Sequence, residues 1–588
     1  MNLKNMNGRK SNYDKTPFIT VPGEFDCWTD WKEIIAEIGK NFDKIEECNT
    51  VVVETYQGVF DDELTREFRT ISENVHFIDT RKLFKSEGQI RDMTAQDVTD
   101  DEIFGYRTRL KLMDFFDIAK FDYAQRTLKN KTGINIVYGP GAALVECGPT
   151  VLVYADMPRW EIQQRFRTNT IGNLGLRNEE ERFSIQYKRG FFVDWLVCDR
   201  HKKDIFDRVD YFLDTSVMEN PKMVVSMAMH QGLKECTNRP FRTVPFFDSG
   251  VWGGQWMKKV CELDDKAPNY AWCFDCVPEE NSLYLKIRDV LFETPSINLV
   301  FRHPEALLGG PVYSRFGDAF PIRFNFLDTM EGGNLSLQVH PFTEYIQENF
   351  GMHFTQDESY YILDTGDDAV VHLGLNEDTK PEELITSLKK AQETGQFESE
   401  KYIAQWKIKK HDHILIPAGT IHCSGKNSMV LEISAAVYNF TFKLWDWGRL
   451  GLDGRPRPIN IERGEKNISW ERDVTWCKGE LINQFETLEE IGGCLEERTG
   501  LHEREFIETR RHWFTEKTQH VTGRSVNVLN LVEGREVIVE SPDNSFTPFI
   551  IHYAETFIVP ANVETYTIAP YGESIGKKCA TIKAFVRH

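Results

Sequence analysis

The character of the sequence changes near residue 230, and this change limits the folds open to the chain. Between residues 45 and 225, apolar strands such as TVVVETY (50–56) and PTVLVYADM (149–157) alternate with helical patterns, an order typical of a parallel sheet covered by helices. After residue 500, short strands such as VNVLNLVEG (526–534) are separated by turn residues, which favours an antiparallel barrel or sandwich. The sequence therefore predicts an α/β domain followed by mainly β domains.

The length of the chain, 588 residues, exceeds what a single hydrophobic core usually holds, so we expect several domains. The predicted divisions are an N-terminal extension over 1–44, the α/β domain over 45–230, a middle domain over 235–465 and a C-terminal β domain over 466–588. The middle region is rich in Gly, Pro, Trp and Phe and contains one clear helical pattern, KPEELITSLKKAQETG (380–395), among short strands.

Charge and hydropathy limit the partners and the location of the protein. The formal net charge is −21 and no long basic stripe is present, so we predict no binding to nucleic acid or anionic lipid. No apolar run reaches the roughly 18 residues that span a bilayer, and the N-terminus MNLKNMNGRK lacks a secretory signal, so we expect a cytoplasmic location. The twelve scattered cysteines, including Cys273 and Cys276 of AWCFDC, are expected to be free thiols.

Four polar side chains in the middle region have the chemistry of metal ligands. Gln338 and His340 lie two residues apart in the strand-like segment LSLQVHP, so they point to the same side. Glu358 begins the apolar segment ESYYILD, which could pair with the first strand as a hairpin. His422 follows the turn PAGT at the end of another apolar strand. Together they would supply an amide oxygen, a carboxylate and two imidazoles.

Three or four such ligands with one open position suit zinc or another borderline divalent metal ion. Each residue taken singly also fits a structural role, because a lone histidine is more often a core or surface residue than a ligand. We interpret His353 and His372 as structural, and His411 and His413, which precede the strand, as exposed to solvent. The spacing alone therefore leaves a metal site and a set of structural residues as alternatives.

Taken together, these segments resemble those of the type I phosphomannose isomerases, which are zinc-dependent enzymes built on cupin barrels. In order along the chain, the similar segments are SGVWGGQW, FPIRFNFLDTM, LSLQVHP, the strand at Glu358, IPAGTIH and LWDWGR. The resemblance covers about residues 240–465. It implies a metal-binding cupin domain with a helical insertion over 235–465 and a second cupin-like barrel over 466–588.

The resemblance assigns zinc ligation to Gln338, His340, Glu358 and His422. It places Ser336 against the phosphate of the substrate. The chain departs from the family at three positions near this site. Two residues before the glutamate ligand, the family typically carries Lys and this chain has Gln356. Where the family has Asp followed four residues later by Arg, this chain has Asn439 and Lys443.

These departures keep the metal ligands and change the residues that would bind phosphate and move protons. Lysine keeps the charge of arginine but lacks its planar two-point contact, and asparagine cannot accept a proton as aspartate can. We assign Gln356 and Asn439 to substrate binding, and Lys443 and Arg449 to catalysis. Further candidates for the base are a metal-bound hydroxide, Glu432, Asp446 and His353.

The resemblance implies a zinc-dependent aldose–ketose isomerase of the mannose-6-phosphate/fructose-6-phosphate type. In such a reaction a metal stabilises the developing oxyanion while a base moves a proton between C1 and C2. The departures leave two alternatives: a metal-dependent cupin enzyme acting on a different sugar or sugar derivative, and a non-catalytic sugar-binding regulatory protein. The expected partner is a small-molecule sugar phosphate or sugar, and the sequence does not specify the oligomeric state.

The N-terminal region contains a Gly-rich turn in NIVYGPGAALVECG (135–148), where backbone N–H groups could hold a phosphate. The turn lacks the Gly-Lys-Ser/Thr of a phosphate-binding loop. A faint resemblance to the strand-Asp and Arg-rich helix of small P-loop kinases comes from Asp156, Arg159, Arg165 and Arg167. The alternative is a degenerate α/β domain, with these arginines on a solvated helix face. In the C-terminal region, His552 and Glu555 repeat part of the ligand pattern and are assigned a structural role.

Overall fold

The computed structural model describes residues 10–44, 50–130, 133–145, 150–436, 438, 440–500 and 502–588. The chain forms two compact units, each built from non-contiguous segments. The α/β unit comprises residues 18–235 and 282–301. The β unit comprises the described residues of 1–17, 236–281 and 302–588. The four-part division drawn from the sequence stays a prediction.

Numbered along the chain, the strands are β1 (Phe18–Thr20), β2 (Cys27–Trp28), β3 (Thr50–Thr55), β4 (Val75–Asp79), β5 (Ile134–Gly139), β6 (Thr150–Asp156), β7 (Tyr211–Asp214), β8 (Lys222–Val225), β9 (Phe246–Asp248), β10 (Trp272–Cys276), β11 (Ser282–Ile287), β12 (Val290–Pro295), β13 (Arg323–Asp328), β14 (Leu337–Val339), β15 (Asp357–Thr365), β16 (Val370–Leu375), β17 (Ile403–Lys407), β18 (His413–Ile416), β19 (His422–Ser424), β20 (Ser428–Ala435), β21 (Phe442–Trp445), β22 (Glu486–Ile491), β23 (Cys494–Gly500), β24 (Ile507–Phe514), β25 (Thr518–Val521), β26 (Asn527–Glu533), β27 (Glu536–Glu540), β28 (Phe549–His552), β29 (Thr556–Val559), β30 (Thr565–Pro570) and β31 (Cys579–Val586).

The α-helices are α1 (Trp31–Lys44), α2 (Asp61–Phe68), α3 (Glu87–Val98), α4 (Ile118–Asn130), α5 (Ala142–Val145), α6 (Arg159–Arg167), α7 (Phe183–Arg189), α8 (Trp195–Ile205), α9 (Ser226–Cys236), α10 (Trp256–Val260), α11 (Ile297–Arg302), α12 (Pro304–Leu308), α13 (Gly310–Phe316), α14 (Thr343–Phe350), α15 (Pro381–Thr394), α16 (Ser399–Tyr402), α17 (Ile461–Glu465) and α18 (Val474–Glu480). The helix predicted over 380–395 is α15, which has proline in its first turn and is followed by Gly395 in a left-handed conformation. Among the described helices, none combines the length and apolarity needed to cross a membrane.

The α/β unit contains, within its described residues, a seven-stranded sheet in the order β2-β8-β7-β6-β3-β5-β4. The central strand β3 runs parallel to β5 and β6, and only β8 and β2 run antiparallel to their neighbours at one edge. Val51, Val52 and Val53 of β3 are completely buried, as expected where both faces of a parallel sheet are covered. A separate small sheet has the order β1-β11-β12.

The β unit contains two pairs of antiparallel sheets among the residues described. The first pair consists of a six-stranded sheet, β18-β15-β20-β13-β10-β9, and a five-stranded sheet, β17-β16-β19-β14-β21. The second pair consists of β22-β23-β24-β31-β26-β29 and β25-β30-β27-β28, whose core includes Phe514, Leu529, Val539 and Tyr566. The prediction of a chain with mixed α/β and mainly β parts is confirmed.

Two histidines differ from the sequence-based interpretation. His413 lies in β18 with none of its surface exposed, and burial followed by the nearby Arg511 lowers its pKa to about 3. His411 is largely buried, with its ring nitrogens 3.0 Å from the Tyr361 hydroxyl and 3.2 Å from Glu533 Oε2. The prediction that both are exposed to solvent was wrong, because strands distant in sequence cover them. Cys273 and Cys276 are buried free thiols, as predicted.

Candidate metal centre

The residues predicted to bind a metal meet between the first pair of sheets. Gln338 lies in β14 and pairs with His422 in β19, so their side chains share one face of the five-stranded sheet. His340 directly follows β14, whereas Glu358 lies in β15 of the six-stranded sheet, between β18 and β20. The predicted hairpin between β14 and β15 was wrong, because helix α14 between them takes the chain from one sheet to the other. The carboxylate therefore approaches from the opposite side.

The donor atoms of these residues lie close together and away from solvent. His340 Nε2 is 3.2 Å from Glu358 Oε2, and His422 Nε2 is 2.8 Å from Glu358 Oε1. Gln338 Nε2 is 3.2 Å from His422 Nε2. Among the residues that the structure describes, His340, Glu358 and His422 form the one group of three metal-binding side chains whose donor atoms all lie within 4.8 Å of one another.

Backbone carbonyls fix the orientation of both imidazole rings. His340 Nδ1 is 2.9 Å from the carbonyl oxygen of Phe440, and His422 Nδ1 is 2.9 Å from that of Thr420. A carbonyl oxygen only accepts hydrogen bonds, so each Nδ1 must carry the proton. In the neutral rings both Nε2 lone pairs then face the carboxylate of Glu358. Such an arrangement needs a cation or an additional proton between the nitrogens and the oxygens.

The electrostatics of the group agree with that requirement. Burial alone would raise the pKa of Glu358, but His340 and His422 hold it well below its usual range. Burial likewise opposes protonation of His340, yet the nearby charge of Glu358 raises its pKa. The carboxylate therefore stays charged, and its charge must be balanced inside the protein.

These residues fit a divalent transition metal ion. His340 Nε2 and Glu358 Oε1 are buried and form no hydrogen bond within the described part of the chain. Two imidazoles, one carboxylate and one amide oxygen form a mixed N/O ligand set of the kind that zinc accepts. Gln338 would present its amide oxygen to the ion, after a half-turn of the amide that in this structure directs its nitrogen to His422.

A polar row on the six-stranded sheet continues the site beyond Glu358. The pairing of β13, β20 and β15 places five polar residues on the same face as Glu358: Tyr360, Glu432, Ser434, Arg323 and Asn325. Glu432 accepts hydrogen bonds from Asn325 Nδ2 and Ser434 Oγ, both at 3.2 Å. Burial, followed by the charge of Glu358, raises the pKa of Glu432 to about 7. Sequence reasoning missed Arg323, Asn325 and Tyr360, although two polar residues at alternate positions of the apolar strand RFNFLD signal a polar interior face.

A cationic cluster adjoins the other side of the site. Lys443 in β21 pairs with Gln338, and burial, followed by the nearby Arg457, lowers the pKa of Lys443 to about 7. Asp446 accepts hydrogen bonds from Ser336 Oγ at 3.0 Å and from Arg449 and Arg457 at 2.5 Å each. Two arginines thus pair with one carboxylate here, on the loop that follows the strand of Lys443. Arg457 was missed from the sequence, because its loop carries no pattern that places it next to Ser336.

Gln356 and Asn439 are the remaining two predicted substrate-binding residues. Gln356 is buried and its Nε2 donates to Glu358 Oε2 at 3.0 Å. Asn439 lies outside the described residues.

The Gly-rich turn of the α/β unit is occupied by the chain's own carboxylate. The backbone N–H groups of Gly141 and Ala143 donate to the two oxygens of Glu54 at 2.6 and 2.8 Å. His201 Nε2 lies 3.1 Å from the same side chain. The N–H groups that would hold a phosphate are therefore already paired in this turn; residues 146–148 of the predicted segment lie outside the described residues.

The polar residues that suggested a kinase are likewise engaged within the unit. Asp156 accepts from Lys202 Nζ at 2.8 Å, Arg159 pairs with Asp199 at 2.5 Å, and Arg165 donates to the carbonyl of Gly58 at 2.7 Å. Arg159 and Arg165 are buried, and the guanidinium of Arg167 stacks on the ring of Phe183. The interpretation of these arginines as a solvated helix face was therefore wrong for Arg159 and Arg165.

In the β unit, His552 and Glu555 contact each other at 3.0 Å, and Glu555 also pairs with Arg242 at 2.9 Å. Glu555 in addition accepts a hydrogen bond from the backbone N–H of Asp14 at 2.6 Å. The pair thus belongs to a network within the unit, and its structural assignment stays a prediction.

Comparison with known proteins finds one matching family model and several curated relatives. A family model described as a domain of unknown function, DUF8485, matches residues 30–238. The chain is 26% identical over 228 residues to the mannose-6-phosphate isomerase ManA of Bacillus subtilis (strain 168). This alignment covers 39% of this chain and 67% of that protein. It is 24% identical over 215 residues to the mannose-6-phosphate isomerase of Streptococcus mutans, covering 36% and 62%. The matched segments thus span about two thirds of these relatives.

Two solved structures align with part of this chain. The mannose 6-phosphate isomerase from Bacillus subtilis aligns with a TM-score of 0.48 and 21% sequence identity, over 59% of this chain and 99% of that one. A zinc-bound mannose 6-phosphate isomerase aligns with a TM-score of 0.45 and 14% identity, over 60% and 100%.

Proposed function

We propose that the β unit is a zinc-dependent aldose–ketose isomerase of the mannose-6-phosphate/fructose-6-phosphate type, built on a metal-binding cupin domain and a second cupin-like barrel. The observation that carries this proposal is the convergence of Gln338, His340, Glu358 and His422, with two imidazole lone pairs directed at one buried carboxylate. The similarity to proteins named mannose-6-phosphate isomerases supports the type of reaction.

The four ligands would hold zinc or another divalent transition metal ion through the amide oxygen, the two Nε2 atoms and the carboxylate. Such an ion, when bound, polarises a substrate carbonyl and stabilises the oxyanion that develops on proton transfer. Backbone carbonyls orient both imidazole rings by accepting hydrogen bonds from Nδ1. Such hydrogen bonds fix the orientation of a ligand before the ion binds.

Proton transfer between C1 and C2 requires a side chain that both accepts and releases a proton near neutral pH. Lys443 and Glu432 flank the ligands from the two facing sheets. Burial places the pKa of each at about 7. Lys443 is the residue that we assign to this role, and Glu432 is the alternative on the opposite wall. Arg449 is held in place by Asp446, so its charge can stabilise an anionic group beside Lys443.

The substrate proposed for this site is a sugar phosphate. Arg449 and Arg457 outnumber the carboxylate of Asp446 near the Ser336 hydroxyl, and such a cluster attracts a phosphate group. Gln356 and Asn439 are proposed to contact the sugar. Because lysine replaces arginine and amides replace a lysine and an aspartate of the resembled family, a different sugar or sugar derivative is the second candidate.

The test combines metal analysis with turnover. Purified protein should contain close to one equivalent of zinc or a similar metal, and it should convert mannose 6-phosphate to fructose 6-phosphate in a coupled assay. A chelator should abolish turnover and added zinc should restore it. Metal-loaded protein without turnover would contradict the proposed substrate, and protein that binds no metal would contradict the whole proposal.

A matched pair of variants separates ligation from folding. His422→Ala should lose the metal and all turnover while keeping its circular dichroism spectrum. The control is His372→Ala, which removes a histidine that is similarly buried on the neighbouring strand β16, opposite Cys423. This control should keep its metal, and equal metal loss in both variants would argue for a structural effect.

A further inference from the structure

Gln356 has a buried hydrogen-bond acceptor that the chain leaves unused. The residue immediately precedes β15, and 3% of its surface is exposed. Its Nε2 donates to Glu358 Oε2 at 3.0 Å. Its Oε1 is buried and accepts no hydrogen bond within the part of the chain that the structure describes.

The orientation of this amide follows from its partner. A carboxylate oxygen only accepts hydrogen bonds, so the NH2 group of Gln356 must face Glu358 and the amide oxygen must face away from it. The preceding residue is also anchored, because the Thr355 hydroxyl donates to the carbonyl of Pro341, directly after His340. Gln356 is thus held against the proposed ligand Glu358, and its amide oxygen is a neutral buried acceptor on the other side of the same amide group.

An unpaired buried amide oxygen costs about 1–3 kcal/mol, so a donor from outside the chain would be favoured at this point. Hydroxyl groups donate, whereas phosphate and carboxylate oxygens only accept at neutral pH. A site that pairs with a substrate hydroxyl rejects an analogue that lacks it, because the protein group is then left unpaired. The position therefore selects for a ligand hydroxyl and against an anionic group.

We propose that Gln356 is a specificity-determining residue, whose amide oxygen accepts a hydrogen bond from a hydroxyl of the ligand next to the atoms held at the metal. The ligand class is then a sugar or polyol that carries a donor hydroxyl at this point, with any anionic group placed elsewhere. The inference rests on the proposed function, since it takes Glu358 as a metal ligand.

The test measures binding and not turnover. Zinc-loaded full-length protein is titrated by calorimetry with a hexitol monophosphate and with the series of its monodeoxy derivatives. The same titrations are made with Gln356→Met, which keeps the size of the side chain and removes the acceptor. Because Gln356 also supports Glu358, the variant is loaded with excess zinc and its metal content is checked before titration.

In the wild-type protein, one deoxy derivative should bind about 10- to 100-fold more weakly than the parent compound. In Gln356→Met, the parent compound should bind more weakly by a similar factor, and the penalty for that one derivative should disappear. Gln347→Met, a change at an exposed glutamine, should keep the wild-type pattern. A purely structural role of Gln356 would weaken all ligands alike and leave the pattern unchanged.

Three outcomes would overturn the inference: no binding of any hexitol probe to zinc-loaded protein, equal affinity for all derivatives in the wild type, or an unchanged penalty in Gln356→Met. The last is expected if only water pairs with Oε1. Failure of the proposed function looks different, because a protein that selects hexitols through Gln356 but does not isomerise mannose 6-phosphate would contradict only the reaction.

Discussion

Glu54 and Glu358 are buried carboxylates, one in each unit. The first has its hydrogen bonds supplied by the chain, and the second is arranged to bind an external cation. Glu54 in the α/β unit receives two backbone N–H groups from the Gly-rich turn and faces His201. Glu358 in the β unit faces two imidazole nitrogens whose protons are committed to the opposite side of each ring. Both are almost fully buried, at 2% exposure.

The difference lies in the donors and not in the carboxylates. Hydrogen bonds from the chain balance the charge of Glu54, so this region needs no ligand. Glu358 receives one N–H donor from Gln356 and otherwise faces lone pairs, so its charge calls for a cation. Burial and residue type are the same for both glutamates. They alone would not have distinguished a carboxylate that binds a metal from one that occupies the N–H groups of a potential anion site.

The largest effect is expected at Glu358. Replacing it by glutamine removes the charge while keeping the shape, and the zinc affinity should fall on the order of 1000-fold, because one of four ligands loses its charge. Competition with a fluorescent chelator measures this change. The control Glu432→Gln, on the neighbouring strand and outside the ligand set, should stay within tenfold of wild type; equal losses would argue against ligation by Glu358.

A smaller effect of a different kind is expected at Glu54. Glu54→Gln removes a charge that the turn and His201 stabilise, so the free energy of unfolding should fall by about 3 kcal/mol. Zinc content should be unchanged. Denaturant titration measures the loss, and a variant as stable as wild type would show that the turn does not depend on the internal carboxylate.

Acid should affect the β unit through His413, which is completely buried near the positive charge of Arg511. Its folded pKa of about 3 lies below the ordinary value of 6.5, so the unfolded chain binds more protons between these values. The free energy of unfolding should therefore fall as the pH falls below 6.5, by on the order of 2 kcal/mol between pH 7 and pH 5. His413→Phe should show a shallower fall, and parallel curves would contradict the assignment.

The smallest effect tests whether the Gly-rich turn can bind an anion once the carboxylate of Glu54 is removed. Glu54→Ala leaves the N–H groups of Gly141 and Ala143 without their carboxylate, so inorganic phosphate should stabilise this variant by about 1 kcal/mol at a concentration several times its dissociation constant. Thermal unfolding with phosphate or with chloride at equal ionic strength measures the difference. Wild-type protein should not respond, and an equal response would mean that phosphate binds elsewhere.

Local sequence patterns were enough to find most of the strands and the donor residues. The runs at β3, β5, β6 and β15 are apolar and β-branched or aromatic, so they specify strands whatever surrounds them. The apolar pattern of PFIIHYAETFIVPA (548–561) predicts one strand and shows the limit, because the segment forms two strands, β28 and β29, separated at Ala554 with a left-handed backbone. No residue of that segment is a glycine or asparagine that would have marked the turn.

The sequence by itself determined which residue types are present at the candidate centre, since Gln338, His340, Glu358 and His422 stand in recognisable strands and turns. Tertiary structure decided what those residues face. Glu358 comes from the opposing sheet, His413 is buried, and Glu54 fills the Gly-rich turn. The contacts of Glu54 with the turn and of Glu358 with His422 join segments more than 50 residues apart in the sequence. The alternation of apolar and polar residues indicates which side of a strand is buried. The charge balance of a buried side chain depends on the residues of the facing strand, and that strand is brought into place only when the sheets pack together.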